Sequence, residues 1–171
     1  MGKRNIRHGR PGAYAVIERR YLPDGVTLER FLLSTARVNV LQGPWGSGKS
    51  TACCYKLAIN ALTQPPGPDG VRRRRSYVVR NTFDQLRRTT LKTWERVFDE
   101  RLFGPIRRTA PFAHHIRIGD LDWEVVFLAL DDSGDRRKLL SAEISDAWFN
   151  EMREIERGLI DDADGRIGRY P

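Results

Sequence analysis

The chain has 171 residues, enough for one domain with a buried core, and its 30 basic against 22 acidic side chains leave a net charge of +8. Arginine supplies most of that excess, since the lysines are Lys3, Lys49, Lys56, Lys92 and Lys138; its planar fork suits phosphate, so a polyanionic partner and a solvated basic surface are both open. Cys53 and Cys54 are adjacent, which excludes zinc-ligand spacing and a disulfide framework, and no run approaches the roughly 20 apolar residues of a membrane span.

The opening MGKRNIRHGRPG is basic with no apolar stretch behind it, unlike a secretory signal. Ile6 stands where a myristoylation signal needs Ser or Thr. Residues 1–12 are therefore expected to be a flexible basic arm, with one domain over 13–171. ARVNVLQG (36–43) is expected to be a short strand entering a glycine-rich stretch. From Lys49 to about Leu62 the apolar positions Cys53, Leu57, Ala58, Ala61 and Leu62 recur at helical spacing, and TQPPGPDG ends that helix. Both cysteines fall inside it, as reduced core thiols.

Arg72 to Arg75 lead into the apolar strand SYVVR. Thr82 and Gln85 have capping-box spacing, after which Phe83, Leu86, Trp94, Val97, Phe98 and Leu102 fall largely on one helical face. Arg87, Arg88, Lys92 and Arg96 lie mostly elsewhere on it, as a solvated face or a strip facing DNA. HHIRIGDLDWEVVFLALDD is expected to be a hairpin through Gly119 and Asp120, with His114 and His115 on its surface. Its second strand becomes continuously apolar at Val125–Leu130, as in a strand covered on both faces. SGDRRKLLSAE connects to the strand ISDAWFNE, and MREIERGLI is a short helix. The order of elements predicts an α/β architecture around a mostly parallel sheet.

LQGPWGSGKST contains Gly43-x-x-x-x-Gly48-Lys49-Ser50, the full Walker A pattern. Its glycines permit the positive φ that turns consecutive N–H groups around a phosphate, and a helix beginning near Lys49 adds the positive end of its dipole. The nucleotide cradle is expected to be Gly43, Pro44, Trp45, Gly46, Ser47, Gly48, Lys49, Ser50 and Thr51, holding ATP and Mg²⁺. Lys49 would reach the β- and γ-phosphates and Ser50 the metal. Trp45 either packs over the nucleotide or stands in solvent.

Hydrolysis also requires a carboxylate near the metal and one to orient water. Two apolar strands end suitably: VVFLALDD at Asp131 and Asp132, and AWFNE at Asn150 and Glu151. Local pattern favours the first, which has the longer apolar run and a true aspartate.

Four stretches resemble the N-terminal ATPase part of phage terminase large subunits, the motors that pump DNA into proheads: LQGPWGSGKST, VVRNTFDQLRRTT, SAEISDAWFNEMREI and GRIGRYP. Together they span roughly residues 37–171. The resemblance implies a P-loop fold of the ASCE type with a central, mostly parallel sheet plus a β-hairpin. It aligns Glu151 with the water-activating glutamate and sets Asn150 where most members place the magnesium-side aspartate. Arg136 and Arg137 fall where the family supplies an arginine to a neighbouring subunit. The resemblance also implies a homo-oligomeric ring, sequence-independent contact with double-stranded DNA, and portal and small-terminase partners. It implies work in the host cytoplasm, and a C-terminal nuclease domain beyond the present chain. Weak ATPase activity without nuclease activity is the expectation. A helicase-like ATPase, a small-molecule kinase and a non-catalytic nucleotide-binding assembly module are the alternatives.

Overall fold

The computed structural model describes residues 20–131 and 133–170; the expected arm at 1–12, as well as Asp132, lies outside them. Helices α1 (Val26–Leu33) and α2 (Lys49–Thr63) precede strand β1 (Arg72–Arg80). Next, α3 (Phe83–Gln85) runs through a π-helical turn (Leu86–Thr90) into α4 (Leu91–Val97). Then come α5 (Glu100–Phe103), β2 (Ile106–Arg107), β3 (Phe112–Ile118), β4 (Leu121–Ala129) and α6 (Ser133–Leu140). Strand β5 (Asp146–Phe149), a 3-10 turn (Met152–Glu154) and α7 (Arg157–Asp164) follow.

The strands form one sheet in the order β2-β3-β4-β1-β5. Its centre is parallel: β1 pairs β4 with Val78 opposite Phe127, and β5 with Val78 opposite Trp148. The β3–β4 hairpin adds the antiparallel part and turns at Gly119, whose φ is 59°. Alternation along β1 splits the core in two. Val78 faces Cys54, Leu57 and Ala61 of α2 and Leu91, Trp94 and Val97 of α4. Val79 faces the opposite side, with Leu139 of α6, Ile155, and Leu159 and Ala163 of α7. Val125 to Leu130 are all buried, as a strand covered on both faces requires.

Three expectations change. No strand forms over 36–43, and Val38 and Val40 are 66% and 67% exposed. Among the described residues β5 ends the sheet and pairs only β1, and an extended segment without cross-strand bonds gains little. The short helix expected over 152–160 is instead a 3-10 turn (Met152–Glu154) followed by the separate helix α7 (Arg157–Asp164). His114 is fully buried rather than on the hairpin surface, while His115 is exposed and paired with Asp122. The Trp94 indole donates to His114 Nδ1 at 3.0 Å, so His114 carries its proton on Nε2 and donates to the Gly104 carbonyl at 2.9 Å. The cysteines behave as expected of core thiols: burial pushes Cys53 up to about 12 and Cys54 higher still.

One carboxylate ties three elements at the start of the parallel strands. Asp146 opens β5 and accepts from Arg74 of β1 at 2.6 Å and from Asn60 of α2 at 3.2 Å. It also accepts from the Ser76 hydroxyl, which receives the Trp123 indole N–H at 2.9 Å. Farther along α2, Gln64 donates to the Arg73 carbonyl at 2.8 Å. With its C-terminal end pinned there and Cys54 and Leu57 against the sheet, α2 runs back towards the strands' C-terminal ends. Lys49 lies about 17 Å up the helix from Asn60, while Asn150 lies about 13 Å along the chain from Asp146. The two are brought to the same end of the sheet.

Burial lowers the His114 pKa, so the unfolded chain takes up that proton at a higher pH than the folded one. The resulting stability is present above pH about 6.5 and is lost as pH falls below it, with a slope of up to about 1.4 kcal/mol per pH unit. Urea denaturation between pH 7.5 and 5 should show that slope, and His114→Gln should flatten it; parallel lines for the two proteins would refute the assignment. Asp146→Ala leaves Arg74 unpaired and should cost about 2–3 kcal/mol, below the full buried-pair value because the Asp146 side chain is 15% exposed. The same denaturation measurement at pH 7.5 checks it.

Candidate phosphate-binding site

The loop entering α2 is shaped by two left-handed glycines, Gly46 and Gly48, each at φ 75°. Gly48 is also tightly placed: an added Cβ would lie 3.4 Å from the Leu28 side chain. Gly48 occupies the N-cap, and no side chain caps the helix. The first-turn amides therefore lack a side-chain acceptor at the end where the helix dipole is positive. Lys49 folds back over the loop, donating to the carbonyls of Gly43 at 2.8 Å and Pro44 at 2.6 Å and to Ser47 Oγ at 3.3 Å. The Ser47 hydroxyl donates to the Pro44 carbonyl at 2.8 Å. Each of these acceptors of the ammonium is a neutral oxygen. Ser50 and Thr51 are half-buried in the first turn, and Trp45 stands 92% exposed, without packing over the loop. An uncapped helix start and a cation holding only neutral acceptors fit the phosphates of a nucleotide.

At the same end, β5 passes into Asn150 and Glu151. The Asn150 N–H donates to the Val79 carbonyl at 2.9 Å, extending the β1–β5 ladder by one step. Its side-chain amide donates to Thr90 Oγ1 at 2.7 Å, and its carbonyl accepts from Arg80 at 3.2 Å. Glu151 then turns left-handed, at φ 55° and ψ 53°, the one non-glycine residue with positive φ among the described residues. That conformation costs an L-residue about 1–2 kcal/mol, and strain of this kind collects where a side chain must be aimed. The Glu151 carboxylate is 36% exposed and meets Arg153 at 3.5 Å.

The rival acid is differently employed. Asp131 Oδ2 accepts the Phe83 N–H at 2.8 Å and so closes the start of α3 from across the sheet. It follows β4, and β1 lies between β4 and β5. The two arginines of α6 also differ. Arg136 pairs with Glu156 at 2.7 Å. Arg137 lines an open depression of about 680 Å³ with Lys138, Ser141 and Arg166, and has no acidic partner among the described residues. Among the described residues no group of three or more His, Cys, Asp or Glu side chains is placed to hold a metal. Magnesium commonly takes one or two protein oxygens beside the substrate's phosphates.

One residue here, Thr90, escaped the sequence reading. Thr90 is buried beside Asn150, and Arg80 is only 7% exposed. A signal for Thr90 was available, since it is the one hydroxyl on the row Leu86, Thr90, Trp94, Val97.

A family model described as terminase large subunit, T4likevirus-type, N-terminal matches residues 40–159. A solved structure, the large terminase from a thermophilic bacteriophage, superposes with a TM-score of 0.68 at 12% identity over 83% of this chain, and so shares its fold. The present chain spans 36% of that protein's length. No curated protein matches. With more than half of its length matched by that model, the chain belongs to the family of T4-like terminase large subunit N-terminal regions.

Proposed function

We propose that this chain is the ATP-binding and ATP-hydrolysing module of a terminase that drives double-stranded DNA into a prohead. The observation that carries the reading is the pairing of Lys49, held only by neutral oxygens at an uncapped helix start, with the left-handed Glu151 at the same end of the sheet. Lys49 exchanges the Gly43 and Pro44 carbonyls for β- and γ-phosphate oxygens, and the loop amides through Thr51 enclose them. The Ser50 hydroxyl and the Asn150 amide oxygen are the groups that would hold a magnesium ion, which would supply neutralisation of charge on the transferred group. Glu151 holds the attacking water and takes its proton. Arg137, without an acidic partner among the described residues, suits reaching a neighbouring copy better than Arg136, which is engaged by Glu156.

The same reading takes DNA contact to be electrostatic and indifferent to sequence, as translocation demands. A homo-oligomeric ring, portal and small-subunit partners, and action in the host cytoplasm follow from it. Among the described residues no helix is long and apolar enough to cross a membrane. A second reading, a nucleotide-binding assembly module without turnover, draws on Asn150, which lacks the charge an aspartate would bring to the metal.

Glu151→Gln should bind ATP within about threefold of wild type, yet lose hydrolysis by about 10²-fold or more. Lys49→Ala should lose binding itself. Asp131→Ala should retain turnover and lose about 1 kcal/mol of stability with the α3 cap. Phosphate release and equilibrium binding check all three, and abolition of hydrolysis by the Asp131 change alone would reassign the site. Binding without turnover at any protein concentration would favour the assembly module.

An arginine acting between copies has a separate signature. Mixing Arg137→Ala with Lys49→Ala protein should restore part of the activity that each lacks, because mixed rings contain complete sites. No recovery at concentrations where the ring assembles counts against Arg137.

A further inference from the structure

We propose that Thr90 is a positioning residue of the hydrolytic site: its hydroxyl clamps the Asn150 amide so that Oδ1, and not Nδ2, is presented to the metal side. The inference rests on the ATPase reading for its consequence, but on the geometry alone for the clamp. Thr90 is 1% exposed on an otherwise apolar row, beside Leu86, Leu91 and Trp94. A hydroxyl in such surroundings is costly unless it is hydrogen-bonded, and the bond shown for it is the 2.7 Å contact from Asn150 Nδ2. The π-helical turn ends at this residue, and its closing bond runs from the Leu91 N–H to the Leu86 carbonyl. Such turns recur at functional positions because they displace one side chain from the regular helical row.

The rest of Asn150 is held from other directions. Val79 receives its N–H and Arg80 grips its carbonyl. Arg80 also approaches Glu154 at 3.7 Å, and its buried Nε has no hydrogen-bond partner. With backbone and Nδ2 all engaged, the amide oxygen is the one polar atom of Asn150 left without a partner among the described residues. An asparagine in place of a metal-side acid is useful only if its oxygen, not its nitrogen, faces the cation. A free amide could present either end; the 2.7 Å bond from Nδ2 to Thr90 Oγ1 holds the nitrogen on the helix side and leaves Oδ1 pointing away from it.

The test is made on the full chain with Thr90→Val, which keeps the shape, and Thr90→Ser, which keeps the hydroxyl. In ¹H–¹⁵N spectra, with the Asn150 side-chain pair identified by its loss in Asn150→Asp, the wild-type Nδ2 protons should exchange slowly with solvent. Thr90→Val should make them fast, and Thr90→Ser should keep them slow. In steady-state assays Thr90→Val should lower kcat and raise the Mg²⁺ concentration for half-maximal rate by about tenfold, as loss of a residue supporting a metal ligand does, with KM for ATP little changed. Thr90→Ser should recover most of it. Fast exchange in wild type, or equal exchange in Val and Ser variants, overturns the clamp. Should the spectra behave as expected while wild type hydrolyses no ATP, the clamp stands and the ATPase reading falls.

Discussion

The geometry of this protein depends on Asp146. A carboxylate that receives Arg74 and Ser76 from β1 and Asn60 from α2 fixes the register of β5 and the position of α2 in one step. At the start of the strands this is a structural ion pair. Its consequence lies at the other end, where the same rigid elements deliver Lys49 on α2 and Asn150 on β5 to one rim. Neither residue touches Asp146, yet a slip of β5 by one residue would turn Phe149 to the wrong face and carry Glu151 away from the loop. The parallel pairing of β1 with β5 and the packing of α2 are thus what make a site out of residues a hundred positions apart.

The charge at this rim is arranged to receive an anion. Among the described residues Lys49 has no carboxylate partner, and Gly48 at the α2 start supplies no capping side chain for its amides. Many arginines elsewhere are engaged in pairs: Arg73 with Asp69, Arg75 with Glu124, Arg108 with Glu95 and Glu100. Arg108 is held far on the charged side by its two carboxylates, and hydrogen bonds from Arg108 and the Ile106 amide lower Glu100. Net positive charge is therefore a poor guide to the site. The informative feature is the cation whose neighbours are neutral.

What the sequence disclosed followed from local rules. The glycine spacing of 43–48, the capping-box threonine at Thr82 and the buried run of β4 each have a cause within a few residues, and each is present. Thr82 does accept the Gln85 N–H, at 3.4 Å. What was misread depended on partners far along the chain. Residues 36–43 have the composition of a strand, but pairing is a property of two segments. His114 looked like hairpin surface because nothing nearby announces Trp94, twenty residues earlier, as its hydrogen-bond donor. Local pattern set Asp131 ahead of Asn150 by the length of the apolar run before it, and that length carries no information on strand order; the order β4-β1-β5 sets the two on opposite sides of β1.

Asn150 stands where the resemblance to terminases implies an aspartate, and the surrounding structure shows how an amide is accommodated there. A hydroxyl is both donor and acceptor. Thr90 can accept from an asparagine amide or donate to an aspartate carboxylate without moving, so the clamp does not depend on which of the two follows β5. The Arg80 contact to the backbone carbonyl is likewise blind to the side chain. Exchange of the acid for its amide therefore removes a charge without removing a hydrogen bond, and the strained turn at Glu151 keeps both of its supports. On the proposed ATPase reading the change would be confined to the field at the metal, whereas losing the turn would misplace the carboxylate proposed to orient water.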